Sequence, residues 1–172
     1  MNIVLLIKNS FLEGETVILI GKQITDSSDV GGSLYQKVLY DFIGGKIDTV
    51  DADLEKNLQK IIFYLRYQKL LSGCVDISQG GLLGALFEGL KNGNTGFKGN
   101  LVLCTDVEKA LFGEITGRYL ISVKDSLSVE KILSEYKVPY TIIGSCSGDQ
   151  LKFDGYTFSM NELTELYENS IE

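Results

Sequence analysis

The groups best placed for chemistry in this chain are backbone amides. From Val75 to Leu90 the sequence runs V-D-I-S-Q-G-G-L-L-G-A-L-F-E-G-L, which reads as the end of a short strand, a Gly80-Gly81 turn and the opening of an amphipathic helix. Such a turn gathers N–H groups at a helix N-terminus, where four donors lack internal acceptors and the macrodipole favours an anion, phosphate above all. A second turn, Gly31-Gly32-Ser33, also precedes helical spacing, at Leu34, Val38, Leu39 and Phe42. The candidate phosphate- or substrate-binding residues are therefore Gly31, Gly32, Ser33, Asp76, Ser78, Gln79, Gly80 and Gly81. Two readings stay open. Either the turns line one anion pocket, or they are unrelated loops whose glycines only reverse the chain and let a helix pack closely while the polar residues cap.

Histidine-dependent catalysis is excluded. The chain has no histidine, so it has no Ser-His or Cys-His pair and no imidazole base. Cys74, Cys104 and Cys146 are scattered and odd in number, which argues against a zinc site and against a secreted disulfide framework. Gly144-Ser145-Cys146-Ser147-Gly148 has the form of a nucleophile elbow after a strand, but the following residues read as a strand entering a hairpin rather than the required helix. No catalytic residue is assigned.

Net charge is −7 with a pI near 4.7, which opposes non-specific binding to nucleic acid or anionic lipid. No apolar run is long enough to span a membrane, and Met1–Ile7 lacks the features of a signal peptide, so a cytoplasmic location is expected. With 172 residues, 44% hydrophobic and a single proline, the chain is expected to bury a real core as one domain.

The elements that must hold these turns are legible in outline. Asn2–Ile7 reads as a strand or a remnant of a preceding domain. The β-branched run Thr16–Ile20 has the composition of a strand buried on both faces, and Gln23–Asp29 reads as a polar loop. Asp51 or Asp53 caps a long helix, Ala52–Leu71, followed by a strand at Cys74–Ile77 and the central helix to Leu90. Lys91–Asn100 is rich in glycine and asparagine and reads as a loop, with a strand at Leu101–Cys104 and a short helix at Val107–Phe112. Tyr119–Val123 is a strand, Ser128 is expected to cap a helix to Tyr136, and Tyr140–Ile143 is a strand after Pro139. Asp154-Gly155 between Gln150–Phe153 and Tyr156–Phe158 signals a hairpin, and Ser159 with Glu162 forms a capping box for a last helix, Met160–Tyr167. The order predicts an α+β fold: a mixed or antiparallel sheet with helices packed on one face.

Five motifs, in this order, carry a resemblance: G-G-S-x-Y at Gly31–Tyr35, V-D-x-x-L-E-K at Val50–Lys56, D-I-S-Q-G-G-L at Asp76–Leu82, A-L-F-G-E at Ala110–Glu114 and I-G-x-x-x-G-D-x-L at Ile143–Leu151. Together they resemble the C-terminal domain of phosphoribosylformylglycinamidine synthase, in the superfamily of aminoimidazole ribonucleotide synthase, thiamine-monophosphate kinase and selenophosphate synthetase. The resemblance implies an AIR synthase C-terminal-domain-like fold over residues 14–172, with 1–13 a linker or remnant. It implies a part of an ATP- and glutamine-dependent ligase of purine biosynthesis that converts formylglycinamide ribonucleotide (FGAR) to the amidine (FGAM). ATP and magnesium would be held mainly by a separate N-terminal-type domain. The implied partners are that domain, sister domains and a glutaminase, with no nucleic acid or membrane, and a homodimer when isolated is an open alternative. Alone, the chain is expected to be inactive. A purely structural half, or a thiamine-monophosphate kinase-like protein, are the alternatives.

The departures matter too. The family usually has an acid where this chain has Leu34, a histidine at Val75 and an acid at Gln79. Magnesium prefers hard carboxylate oxygens, so these losses weaken a metal site. Asp76 remains the candidate for a metal, metal-water or phosphate contact, and a backbone cap is its alternative. Glu114 and Arg118 either face the shared cleft or pair with each other.

Overall fold

The computed structural model describes residues 6–25, 31–47 and 49–170. In chain order its elements are β1 (Thr16–Gly21), α1 (Leu34–Tyr40), α2 (Ala52–Tyr67), β2 (Gly73–Asp76), α3 (Gly81–Gly93), β3 (Phe97–Gly99), α4 (Val107–Phe112), β4 (Arg118–Val123), α5 (Ser126–Glu135), β5 (Tyr140–Cys146), β6 (Gln150–Phe153), β7 (Tyr156–Ser159) and α6 (Met160–Asn169).

The sheet is built around β1. Its T-V-I-L-I-G run lies between β4 and β5, antiparallel to both, in the strand order β2-β4-β1-β5-β3-β6-β7. The β3–β6 pair is parallel, which makes the sheet mixed. Successive side chains of a strand point to opposite faces, so Val17 and Leu19 enter one core and Ile18 and Ile20 another. Leu82, Leu86 and Leu90 of α3, Leu111 of α4 and Met160 of α6 cover the first core. Leu58, Ile61 and Leu65 of α2 with Val129 and Leu133 of α5 cover the second. The α+β class and the mixed sheet agree with expectation, but helices cover both faces rather than one. The reason is in β1: a strand apolar on both sides must be covered on both, at about 1.5–3 kcal/mol per buried aliphatic side chain.

Local chemistry explains most boundaries. The Asp51 carboxylate accepts from Asp53 N and Leu54 N and caps α2, which ends at Tyr67 rather than Leu71, because Lys69 turns left-handed and the amides of Leu70 and Leu71 both return to the Leu65 carbonyl. Asp125, not Ser128, caps α5, accepting from Ser128 N. The Asp154-Gly155 hairpin has positive φ at both residues (45° and 89°), and Ser159 caps α6 through Glu162 N. β5 runs past Ile143 to Cys146, with a register irregularity opposite Val17/Ile18.

The expected strand at Leu101–Cys104 is not formed; pairing falls earlier, at β3, inside the expected loop. The amides of Leu101 and Val102 instead donate to the Asp154 carboxylate at 2.7 and 2.9 Å, which draws the chain off the ladder. Gly99 suits the close approach, since a Cβ there would lie 2.0 Å from the Ile143 carbonyl oxygen. The strand-or-remnant reading of Asn2–Ile7 falls largely outside the described residues, although Lys8 bridges Gly73 in parallel. Most of the Gln23–Asp29 loop also lies outside them.

Candidate functional site

The Gly80-Gly81 turn is left-handed at both positions, with φ of 82° and 66°. Gly81 also answers a packing need, for a Cβ there would sit 2.6–2.7 Å from the backbone of Leu111 and Phe112. Its amide donates to the Ser78 carbonyl, and no side chain of the turn itself caps α3. In the other turn Gly32 has φ of 77°, and its amide donates to the Gly44 carbonyl and to Gln36 Oε1. Ser33 is buried and its Oγ caps α1 through Gln36 N.

A carboxylate of the chain joins the two turns. Glu114 Oε1 accepts from Leu34 N at 2.9 Å and from Gly80 N at 2.8 Å. Thus one internal anion meets the amide at the start of α1 and the amide preceding α3, in the position where helix dipoles favour negative charge. Glu114 therefore caps helices remote in sequence, and its expected alternative, pairing with Arg118, is not what forms. Arg118 is 1% exposed; its Nη1 donates to the Gly113 carbonyl at 3.3 Å, while Nε and Nη2 have no partner among the described residues. Burial lowers its pKa to about 10.

Asp76, Ser78 and Gln79 share a cleft of about 420 Å³ with Glu114, Thr116 and Arg118. Of the sequence-based candidates, Asp76, Ser78 and Gln79 line this cleft with Glu114 and Arg118, whereas Gly31, Gly32, Ser33, Gly80 and Gly81 do not; the two turns are tied through Glu114, which bonds Gly80 N and the amide of Leu34 beside Ser33. Glu55 also lines the cleft and accepts from the Tyr119 hydroxyl, whose pKa is raised by burial and by that bond. Sequence spacing gave no sign of this Tyr119–Glu55 pair.

The donor set does not fit a magnesium ion held by this chain alone. Glu114 and Glu55 are engaged, Asp76 is exposed, and no group of three or more metal-ligating side chains occurs among the described residues. Of the departures, Val75 is buried in the core, Gln79 is exposed and Leu34 faces an apolar groove. The elbow motif carries no nucleophile: Cys146 is buried at the end of β5, a turn and β6 follow, and burial with Glu15 and Glu13 nearby pushes its thiol up to about 12.

Beside the turns lies an apolar groove of about 540 Å³ between α1, α3 and β7, lined by Leu34, Val38, Leu83, Phe87, Phe112 and Phe158 among others. Its α1 side is open to solvent, with Val38 71% exposed and Leu39 57% exposed. An apolar surface of this kind marks an interaction face. No helix among the described residues is long and apolar enough to cross a membrane.

Residues 4–154 match the family described as AIR synthase related protein, C-terminal domain. The chain is 38% identical over 162 residues to the phosphoribosylformylglycinamidine synthase subunit PurL of Petrotoga mobilis, covering 92% of this chain and 22% of that protein. It therefore spans about a fifth of the length of the curated relatives it matches. Its fold is similar to Thermotoga maritima PurL complexed with FGAR (TM-score 0.70, 16% identity, 92% of this chain and 29% of that one) and with ATP (TM-score 0.69, 16% identity, 95% and 28%). It is also similar to thiamine-monophosphate kinase from Stenotrophomonas maltophilia (TM-score 0.59, 15% identity, 90% and 55%). At these identities the structural likenesses are of fold alone.

Proposed function

The chain belongs to the AIR synthase-related C-terminal domain family, and on that premise we propose that it works as the C-terminal domain of a phosphoribosylformylglycinamidine synthase. In this role it supplies loops and support to a composite site at which ATP, with magnesium, activates the amide of FGAR and glutamine-derived ammonia yields FGAM. The observation that carries the reading is the 38% identity to a PurL subunit across 92% of the chain. The tie that Glu114 makes between Leu34 N and Gly80 N, beside a cleft lined by Asp76, Ser78 and Gln79, supports it.

The division of labour follows from the residues. Asp76, Ser78 and Gln79 offer an exposed carboxylate, a hydroxyl and an amide to a phosphorylated ligand at the cleft rim. Because no group of three or more metal-ligating side chains occurs among the described residues, metal and nucleotide would belong chiefly to an N-terminal-type domain of the same enzyme. The apolar surface around α1 would pack against that domain or its sisters, with a glutaminase supplying ammonia.

A support role without ligand contact is the second reading, favoured by Glu114, which already holds an amide from each turn. Thermal melts of the chain with ATP, ADP or FGAR at millimolar concentration, with magnesium, separate the two. A ligand that binds only the folded state raises the melting temperature by mass action. The ligand-loop reading expects a rise that Asp76→Asn diminishes. An unchanged melting temperature with every ligand overturns that part and leaves support as the role.

A further inference from the structure

The segment Gly31–Lys46 is built as a closed loop. Its ends meet in a glycine neck: Gly32 N donates to the Gly44 carbonyl at 2.9 Å, and a Cβ on Gly31 would lie 2.6 Å from the Lys46 carbonyl oxygen. Gly32 and Gly45 both take positive φ, 77° and 101°, which side chains rarely adopt. Beyond the neck, α1 buries no residue and stands off α3 across the apolar groove.

One strip of the molecule holds this loop in place. Glu114 accepts from Leu34 N, and Phe112 stacks on Tyr35 with ring centroids 4.6 Å apart. The other half of the Glu114 bond is Gly80 N, so releasing the loop from Glu114 also alters the capping of α3.

We propose that Gly31–Lys46 is a flap, hinged at its glycine neck and clamped by Phe112 and Glu114, whose opening couples the start of α1 to the Gly80-Gly81 turn. Glu114 is the positioning residue of the device. When clamped, it holds the two turns in fixed relation and keeps an amide of each occupied. When released, it frees both amides together and uncovers the groove. A local opening of this kind exposes little core, because α1 contributes none, and so it is separable from global unfolding. The proposal goes beyond the functional reading and needs no ligand for its test, so either can fail without the other.

The test is amide hydrogen exchange on the whole 172-residue chain, resolved by residue, in the native protein, Glu114→Ala and Glu114→Gln. The native chain is expected to protect Leu34 and Gly80. Glu114→Ala is expected to speed both at least tenfold while the amides of Leu86–Leu90 in α3 keep their rates. Glu114→Gln, which retains an acceptor oxygen, should restore most of the protection. Three results overturn the proposal: Leu34 and Gly80 responding separately, α1 exchanging only together with the α3 core, or the α1 amides unprotected in the native chain.

Discussion

Adjacent glycines in the same turn should respond very differently to an added methyl group. Both Gly80 and Gly81 have positive φ, so alanine at either costs about 1–2 kcal/mol in backbone strain. At Gly80 that is nearly the whole cost, because the nearest atom to the new Cβ, the Gly84 Cα, is 3.4 Å away. At Gly81 the Cβ would lie 2.6 Å from the Phe112 carbonyl carbon and 2.7 Å from the Leu111 carbonyl oxygen. That is backbone, which cannot rotate aside; α3 and α4 must separate, adding about 1–3 kcal/mol of overpacking. Gly81→Ala should therefore cost about 3–4 kcal/mol and Gly80→Ala about half of that. At roughly 2–4 °C per kcal/mol for a domain of this size, the melting temperature should fall by about 6–16 °C and about 3–8 °C respectively. Urea titration of the two variants beside the native chain reads the difference directly. Equal losses would refute the claim that Gly81 is selected by the approach of α4 as well as by its turn.

Replacing buried, half-satisfied Arg118 by methionine should leave the isolated chain as stable or raise it by about 1–3 kcal/mol, read from the same titrations; a loss of comparable size would show that the guanidinium is compensated in the fold. Asp154→Ala removes the acceptor for Leu101 N and Val102 N and puts a less tolerant side chain at φ 45°; it should cost about 2–4 kcal/mol, and a change below about 0.5 kcal/mol would remove Asp154 as the cause of the missing strand. Cys146, whose thiol pKa is raised from 9.0 to about 12 by burial and by Glu15 and Glu13, loses its proton first in the unfolded chain. Its contribution is thus fully present below pH 9 and falls as pH rises from 9 towards 12; Cys146→Ala should flatten the decline in unfolding free energy over that same range, and an unaltered slope would count against the burial effect.

How much of this was legible depends on the range of the interactions. The Asp51 and Ser159 caps, the Asp154-Gly155 hairpin and the extent of α4 are set by residues within four positions, and the sequence shows them. Strand β3 is three residues held by β5 and β6, and nothing in F-K-G alone marks it as a strand. The two-sided cover of the sheet was implicit in T-V-I-L-I, apolar on both faces, and was outweighed by the irregular order of elements. At the site, the glycine turns stood out because few other residues take their conformations. The carboxylate joining them did not, since Glu114 lies 80 residues from one donor and 34 from the other.

The central claim is best tested by supplying this chain in trans. A Petrotoga mobilis PurL subunit from which the segment matching this chain has been deleted should not convert FGAR to FGAM with ATP, magnesium and a source of ammonia, and neither should this chain alone. Mixed, the two are predicted to form FGAM, with Asp76→Asn lowering the rate. A stable complex of the two that forms no FGAM, while the undeleted subunit turns over in the same assay, would contradict the assignment of this chain to that enzyme.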